Sequence, residues 1–235
     1  MSARYFLSQP LATGLVELDG TEAHHLGRVM RAQPGDQVTL FDGQGFEALA
    51  TIQQVDRDHV TLQVDELLEV DRERPVSLVL GVALPRGDRQ KWLVEKLVEL
   101  GVSMLVPLVT ERGVAQPTDK ALDRLRRMVI EASKQCGRNR LMEIDMPRTL
   151  EDFCQAHADS SRKLIAHPGE VAGGLDKQGL MLNPDEATVA AVGPEGGFSD
   201  SELDVSAQHG WQRISLGPRI LRVETAALAL AGLTG

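Results

Sequence analysis

Two glycine- and proline-rich stretches near the C-terminus carry the densest chemistry of the 235-residue chain. They are Gly193-Pro194-Glu195-Gly196-Gly197-Phe198-Ser199 and Leu216-Gly217-Pro218-Arg219-Ile220-Leu221-Arg222. Glycines let a backbone approach a ligand closely and adopt positive φ. Ser199 and Glu202 have capping-box spacing, so a helix N-terminus directs its amides towards the first stretch, where a carboxylate or a ribose hydroxyl could bind. Arg219 and Arg222 add two guanidiniums, the preferred partners of phosphate. Glu195 is the only carboxylate inside the first stretch. Neither stretch is a phosphate-binding P-loop or a dinucleotide fingerprint, and the chain has no Gly-x-Ser-x-Gly elbow and no His-Glu-x-x-His. The pattern alone leaves open a pocket edge and a pair of purely structural turns.

Other reactive residues are sparse. His24 and His25 are adjacent on an expected helix and point about 100° apart, which suits joint metal ligation poorly. His167 precedes Pro168 at a strand end, where pocket residues sit, while His59, His157 and His209 read as surface positions. Cys136 and Cys154 lie far apart and read as buried or half-buried free thiols, with no Cys-x-x-Cys spacing. No metal is expected. Basic residues form islands: His24, His25, Arg28 and Arg31, then Arg124, Arg126, Arg127, Lys134, Arg138 and Arg140 with one acid, Glu131, among them. The second island reads either as a solvated helix face or as a phosphate-binding one.

The elements that must position these residues fall into two styles. Residues 4–68 show short apolar runs separated by turn signals such as Gln33-Pro34-Gly35-Asp36, which predicts a small β-barrel interrupted by one helix over 21–31, capped by Thr21. An acidic, charge-alternating stretch leads to Pro75. The expected division is a β-rich domain over 1–70, a linker over 71–75 and an α/β domain over 76–235. From Val76 onwards strands and helices alternate. Strands are predicted over 76–84, 102–109, 163–166, 187–192 and 211–216. Helices are predicted over 88–100, 119–136, from Thr149, over 199–209 and over 222–233. This alternation implies a mostly parallel sheet covered on both faces, whose carboxyl edge carries both glycine loops.

Composition narrows the class. With 25 Lys and Arg against 34 Asp and Glu the net charge is −9, which argues against a general polyanion binder and leaves local basic patches to do any nucleic-acid work. No apolar run approaches the ~20 residues of a membrane span. The N-terminus lacks a signal-peptide h-region, so a reducing, cytoplasmic setting without a membrane partner is expected.

Read together, residues 193–199 and 216–226 (ending Val223-Glu224-Thr225-Ala226) resemble the signature of the 16S ribosomal RNA uridine-N3 methyltransferases, the RsmE family of the SPOUT class. Arg4-Tyr5-Phe6, His24-His25-Leu26-x-Arg28-Val29-Met30-Arg31 and Phe41-Asp42-Gly43 are similar to the family's N-terminal PUA-like domain. Lys96 to Val102, Thr110-Glu111-Arg112 and Glu131 to Arg138 are similar to its middle motifs. The chain departs from the family at Leu97-Val98, where Ala-Thr is common, and at Lys134, where Glu is common.

The resemblance implies an α/β SPOUT trefoil-knot domain after a PUA-like β-barrel. It implies a homodimer through the C-terminal domain and S-adenosylmethionine (SAM) as cofactor. Its substrate is 16S rRNA of the small ribosomal subunit, at N3 of uridine 1498 in the decoding region. The alternatives are an RNA-binding assembly factor with little catalysis, or a SPOUT enzyme acting on another base. The implied cofactor residues are His167, Pro168, Gly193, Pro194, Glu195, Gly196, Gly197, Leu216, Gly217, Ile220, Leu221, Arg222, Thr225 and Ala226. RNA contacts would come from Arg4, His25, Arg28, Arg31, Arg112, Arg138 and Arg219. N3 of uridine is weakly acidic, so a base or a cation stabilising the imidate helps. Arg138 and Arg222 are the candidate cations and Glu195 the candidate carboxylate, with hydrogen bonding to loop amides as the alternative for Glu195. The target base must be unpaired or flipped, because pairing occupies its N3 edge.

Overall fold

A computed structural model describes residues 3–113, 117–168 and 186–233. The chain divides into two compact units, Met1–Glu73 with Ile130–Leu141, and Arg74–Val129 with Met142–Gly235.

The first unit holds β1 (Arg4–Phe6), β2 (Gly14–Asp19), α1 (Gly20–His24), β3 (Gln37–Phe41), β4 (Phe46–Val55), β5 (His59–Val64) and β6 (Leu68–Glu69). The sheet order is β1-β3-β4-β5-β2, with β6 on β4. All pairs are antiparallel except β1 with β3. Burial alternates along β5, as period-two side chains require, and Leu18, Leu40, Ile52 and Leu62 from four strands share one core with Tyr5 and Leu26. The expected helix over 21–31 is shorter and begins at Gly20. Asp19 stands at its N-cap without a side-chain cap bond, so Thr21 is not the cap. Residues His25–Val29 then widen into a π turn. Gly27, a poor helix former, sits at its centre, and a Cβ there would come within 3.0 Å of Val55.

The alternating charges around residue 72 are engaged rather than simply solvated. Arg72 reaches Glu47 at 3.1 Å, and Glu73 receives Arg138.

The second unit holds β7 (Leu78–Val82), α2 (Asp88–Glu99), β8 (Met104–Val109), β9 (Glu143–Ile144), β10 (Arg148–Thr149), α4 (Leu150–Ala156), β11 (Arg162–Ala166), β12 (Thr188–Val192), α5 (Asp200–Gln208), β13 (Gln212–Ile214) and α6 (Val223–Leu233). The helix α3 (Asp119–Cys136) begins in this unit and ends in the first, the division falling after Val129. Its apolar stripe, Leu122, Leu125, Val129 and Ala132 at helical spacing, is buried. The sheet order is β10-β8-β7-β12-β11-β13, with β9 on β8, and every pairing is parallel. Strand β12 is buried at all five positions, as a strand covered on both faces must be. Register sets the site: Val192 pairs with Val82 on one side and Ala166 on the other, and Ala166 pairs with Ile214. Four strands therefore end level, and the segments that follow them emerge side by side.

Among the described residues no helix is long and apolar enough to cross a membrane, and no cluster of His, Cys, Asp and Glu could hold a metal ion. Cys154 is buried, and desolvation pushes its thiol up to about 12. Cys136 is exposed rather than buried or half-buried. His157 is half-buried against Phe153, ring centroids 4.8 Å apart, rather than a plain surface residue.

Candidate active site

The three segments after β11, β12 and β13 enclose a cleft of about 570 Å³. Its lining includes Ala166, His167 and Pro168 from the first, Gly193, Pro194, Glu195 and Gly197 from the second, and Leu216, Gly217, Arg219, Ile220 and Leu221 from the third. Val192, Val223 and Ala226 complete it. The mixture of apolar wall with backbone polar groups suits a small organic ligand.

Local chemistry fixes each loop. The amide of His167 donates to the Ile214 carbonyl at 3.0 Å, tying the first segment to the third. Gly197 donates to Pro194 at 2.8 Å and closes the turn of the second. Ser199 caps α5 in a reciprocal box with Glu202, as its spacing predicts. Gly217 has φ +120, a conformation that side chains with a Cβ rarely adopt, where the third loop folds over the cleft. Arg112 donates to the Gly196 and Phe198 carbonyls, at 3.0 and 3.3 Å, and so clasps the second loop from outside.

Electrostatics are modest. Desolvation first, then the charge of Arg213, lowers the pKa of His167, with Asp200 opposing. His167 Nδ1 is buried with no hydrogen-bond partner among the described residues. An orphaned polar atom in a ligand-sized cleft is what a bound polar molecule would satisfy.

The other expected residues are more scattered. Gly196, Arg222 and Thr225 do not line the cleft. Arg222 is exposed, and its carbonyl accepts from the Ala226 amide at 2.9 Å, near the start of α6. Glu195 is held by Arg89 Nη1 at 3.0 Å rather than by loop amides. Arg138 is buried in the first unit on Glu73. Arg4 donates to Glu47 at 2.7 Å and to Asn139, and lies over the Phe41 ring, so its guanidinium is engaged inside the first unit. His25, Arg28 and Arg31 are exposed at and just after the π turn, Arg31 with φ +54, beside exposed Val29 and Met30. Arg219 is exposed at the cleft rim.

Sequence reasoning passed over Arg86-Gly87-Asp88-Arg89, which follows β7. Ala83, Leu84, Pro85, Arg86, Arg89, Leu108 and Gly113 form a second cavity with Pro194 and Glu195, about 450 Å³ in volume. The signal was present, because a glycine between a buried strand and a helix repeats the grammar of the two noted loops.

A ligand cleft at the carboxyl edge of a parallel sheet, preceded by a separate β unit, defines an α/β small-molecule-binding protein with an accessory module. The RNA methyltransferase domain family matches residues 72–235, and the RNA methyltransferase PUA domain family matches residues 18–65. The ribosomal RNA small subunit methyltransferase E of Synechocystis is 34% identical over 221 residues, covering 92% of this chain and 71% of that protein. That of Bacillus subtilis is 30% identical, covering 90% and 86%. A Neisseria gonorrhoeae structure of the same designation, bound to S-adenosyl methionine, is 31% identical with a TM-score of 0.89 and covers 99% of this chain and 96% of that one. A Legionella pneumophila protein solved with SAM bound is 33% identical with a TM-score of 0.87, covering 100% and 97%. This chain belongs to the ribosomal RNA small subunit methyltransferase E (RsmE) family.

Proposed function

We propose that the chain is a SAM-dependent methyltransferase of small-subunit ribosomal RNA that modifies N3 of a uridine, uridine 1498 of 16S rRNA. The observation that carries this reading is the coincidence of a cleft formed by three level strand ends with the loops implied as the cofactor site. When bound, SAM would supply an electrophilic methyl: the uridine's N3 proton passes to solvent, the N3–CH3 bond forms as the CH3–S bond breaks, and S-adenosylhomocysteine leaves.

The chain's own residues bind and orient. Gly193, Pro194, Glu195, Gly197, Leu216, Gly217, Ile220 and Leu221 line the cleft that takes the cofactor, and Nδ1 of His167, unpartnered among the described residues, offers it a hydrogen bond. Arg219 and Arg222 are exposed beside the cleft, where phosphate or a developing imidate charge is stabilised. In the first unit, exposed His25, Arg28 and Arg31 supply a sequence-independent hold on the RNA backbone. A trefoil knot and a homodimer through the second unit belong to the same reading.

The test is transfer of a tritiated methyl from SAM to unmodified 30S subunits and to free 16S rRNA, with the product mapped by mass spectrometry. One methyl on uridine N3 is expected. A methyl on another base, or no transfer to either substrate, refutes the reading.

A further inference from the structure

The second cavity lies at the ends of β7, β8 and β12, and it shares Pro194 and Glu195 with the cofactor cleft. One loop therefore separates two adjacent cavities on one sheet edge. They differ in chemistry. The floor of the second is apolar and buried, with Leu84, Pro85 and Leu108, and its rim is charged. Arg89 lies between two carboxylates: its Nη1 is 3.0 Å from Glu195 Oε1 and 3.8 Å from Glu224 Oε2. Glu224 is 5% exposed, and that Oε2 has no hydrogen-bond partner among the described residues. Its buried negative charge holds the guanidinium in place from behind.

We propose that this second cavity is the acceptor site and takes the flipped-out pyrimidine base, an assignment that rests on the methyl-transfer reading above. The ring packs on Leu84 and Pro85, as flipped bases do against apolar side chains. The Arg89–Glu195 pair reads the base edge. A guanidinium donor beside a carboxylate acceptor complements the adjacent C=O and N–H of an imide. Cytosine presents no N3 proton and an amino group in place of O4, so the same pair rejects it. Glu195 belongs to both cavities, so a base held by the pair lies at the edge the two cavities share, beside the cleft that binds the methyl donor. A purely phosphate-binding site fits less well, because Glu195 stands on the rim and would repel the anion.

The test is a crosslink on the full chain. 16S rRNA substituted with 4-thiouridine is bound in the presence of S-adenosylhomocysteine, irradiated, and the adducts mapped by mass spectrometry. An adduct within residues 83–89 is expected; adducts confined to the rest of the chain overturn the assignment. In parallel, Arg89→Ala lowers kcat/KM for RNA by roughly tenfold to a hundredfold, as loss of a charge-assisted hydrogen bond does, while S-adenosylhomocysteine affinity by calorimetry stays within about twofold. Arg89→Lys restores part of the rate. An Arg89→Ala protein whose cofactor affinity falls as far as its rate makes Arg89 a support of the Glu195 loop and overturns the RNA contact. Methyl transfer to another atom or base, with the cavity adduct retained, defeats the uridine-N3 reading and leaves the acceptor site standing.

Discussion

Arg138 donates from Nε to both carboxylate oxygens of Glu73, at 2.9 and 3.0 Å, and from Nη2 to Oε2 at 2.6 Å. Its side chain is 5% exposed and that of Glu73 17%. The pair joins the segment after α3 to the end of the β unit, across 65 residues of sequence. A guanidinium committed in this way is an anchor for the fold before it is anything else.

Replacing it therefore tests stability first. Arg138→Ala leaves Glu73 with a largely desolvated charge, and breaking such a pair costs about 3 kcal/mol. Chemical denaturation of the wild type and of Arg138→Ala should show that loss. The double variant Arg138→Met with Glu73→Leu should recover most of it, because an apolar pair of similar volume carries no uncompensated charge. If the recovered double variant still methylates RNA, Arg138 has no catalytic part. If it is folded and inactive, the expectation of imidate stabilisation returns.

Glu47 predicts an acid limit of the first unit. Burial alone would raise its carboxyl, but hydrogen bonds from Arg72, Arg4 and Asn139, with the charge of Arg4, outweigh that and hold it at about 2, below the ordinary 4.5. A carboxyl depressed in the fold contributes stability that is complete above pH 4.5 and is lost as pH falls to about 2. Urea midpoints measured across that interval should fall more steeply for the wild type than for Glu47→Gln. Parallel curves for the two proteins would contradict the assignment.

Much of this was legible because it is local. Thr149 accepts from the Asp152 amide at 3.1 Å and Ser199 from Glu202 at 3.2 Å, the bonds that their three-residue spacing predicts. The parallel sheet followed from strand–helix alternation, and the three cleft segments from their place at strand ends. What was not legible depends on distant pairings. Arg4 meets Asn139 across 135 residues, so no periodicity could show that its guanidinium is engaged. The two-residue strands β9 and β10 carry no pattern of their own, and only the neighbouring edge of β8 makes them strands. The second cavity exists because register sets Val82 level with Val192 and with Pro107.

Arg112 was expected to meet RNA, and its two hydrogen bonds to the Gly196 and Phe198 carbonyls give it a different measurable role. Arg112→Ala should loosen the second loop and weaken S-adenosylhomocysteine binding roughly five- to tenfold, about 1 kcal/mol for two partly solvated bonds. The fold should hardly change, because the side chain is exposed. Calorimetry beside a thermal melt separates the outcomes. Unchanged cofactor affinity with a raised KM for RNA would instead return Arg112 to the RNA.

His167 makes cofactor binding sensitive to acid. Its burial first, then the charge of Arg213, keeps the imidazole neutral to below its ordinary 6.5, with Asp200 opposing. In the neutral form its unpartnered Nδ1 can accept or donate one hydrogen bond inside the cleft. Protonation puts a cation beside a ligand whose sulfonium is itself a cation, and the two repel in a site that excludes much of the water. SAM affinity should therefore be level above pH 6.5 and weaken only as pH falls below it, where the depressed imidazole takes up its proton. S-adenosylhomocysteine, which lacks the sulfonium charge, should weaken less over the same interval. His167→Asn removes the titration and should flatten both curves, at an affinity below that of the wild type at neutral pH. Calorimetric titrations of the two ligands at three pH values decide it: equal slopes for SAM and S-adenosylhomocysteine would show that charge repulsion at His167 is not the cause.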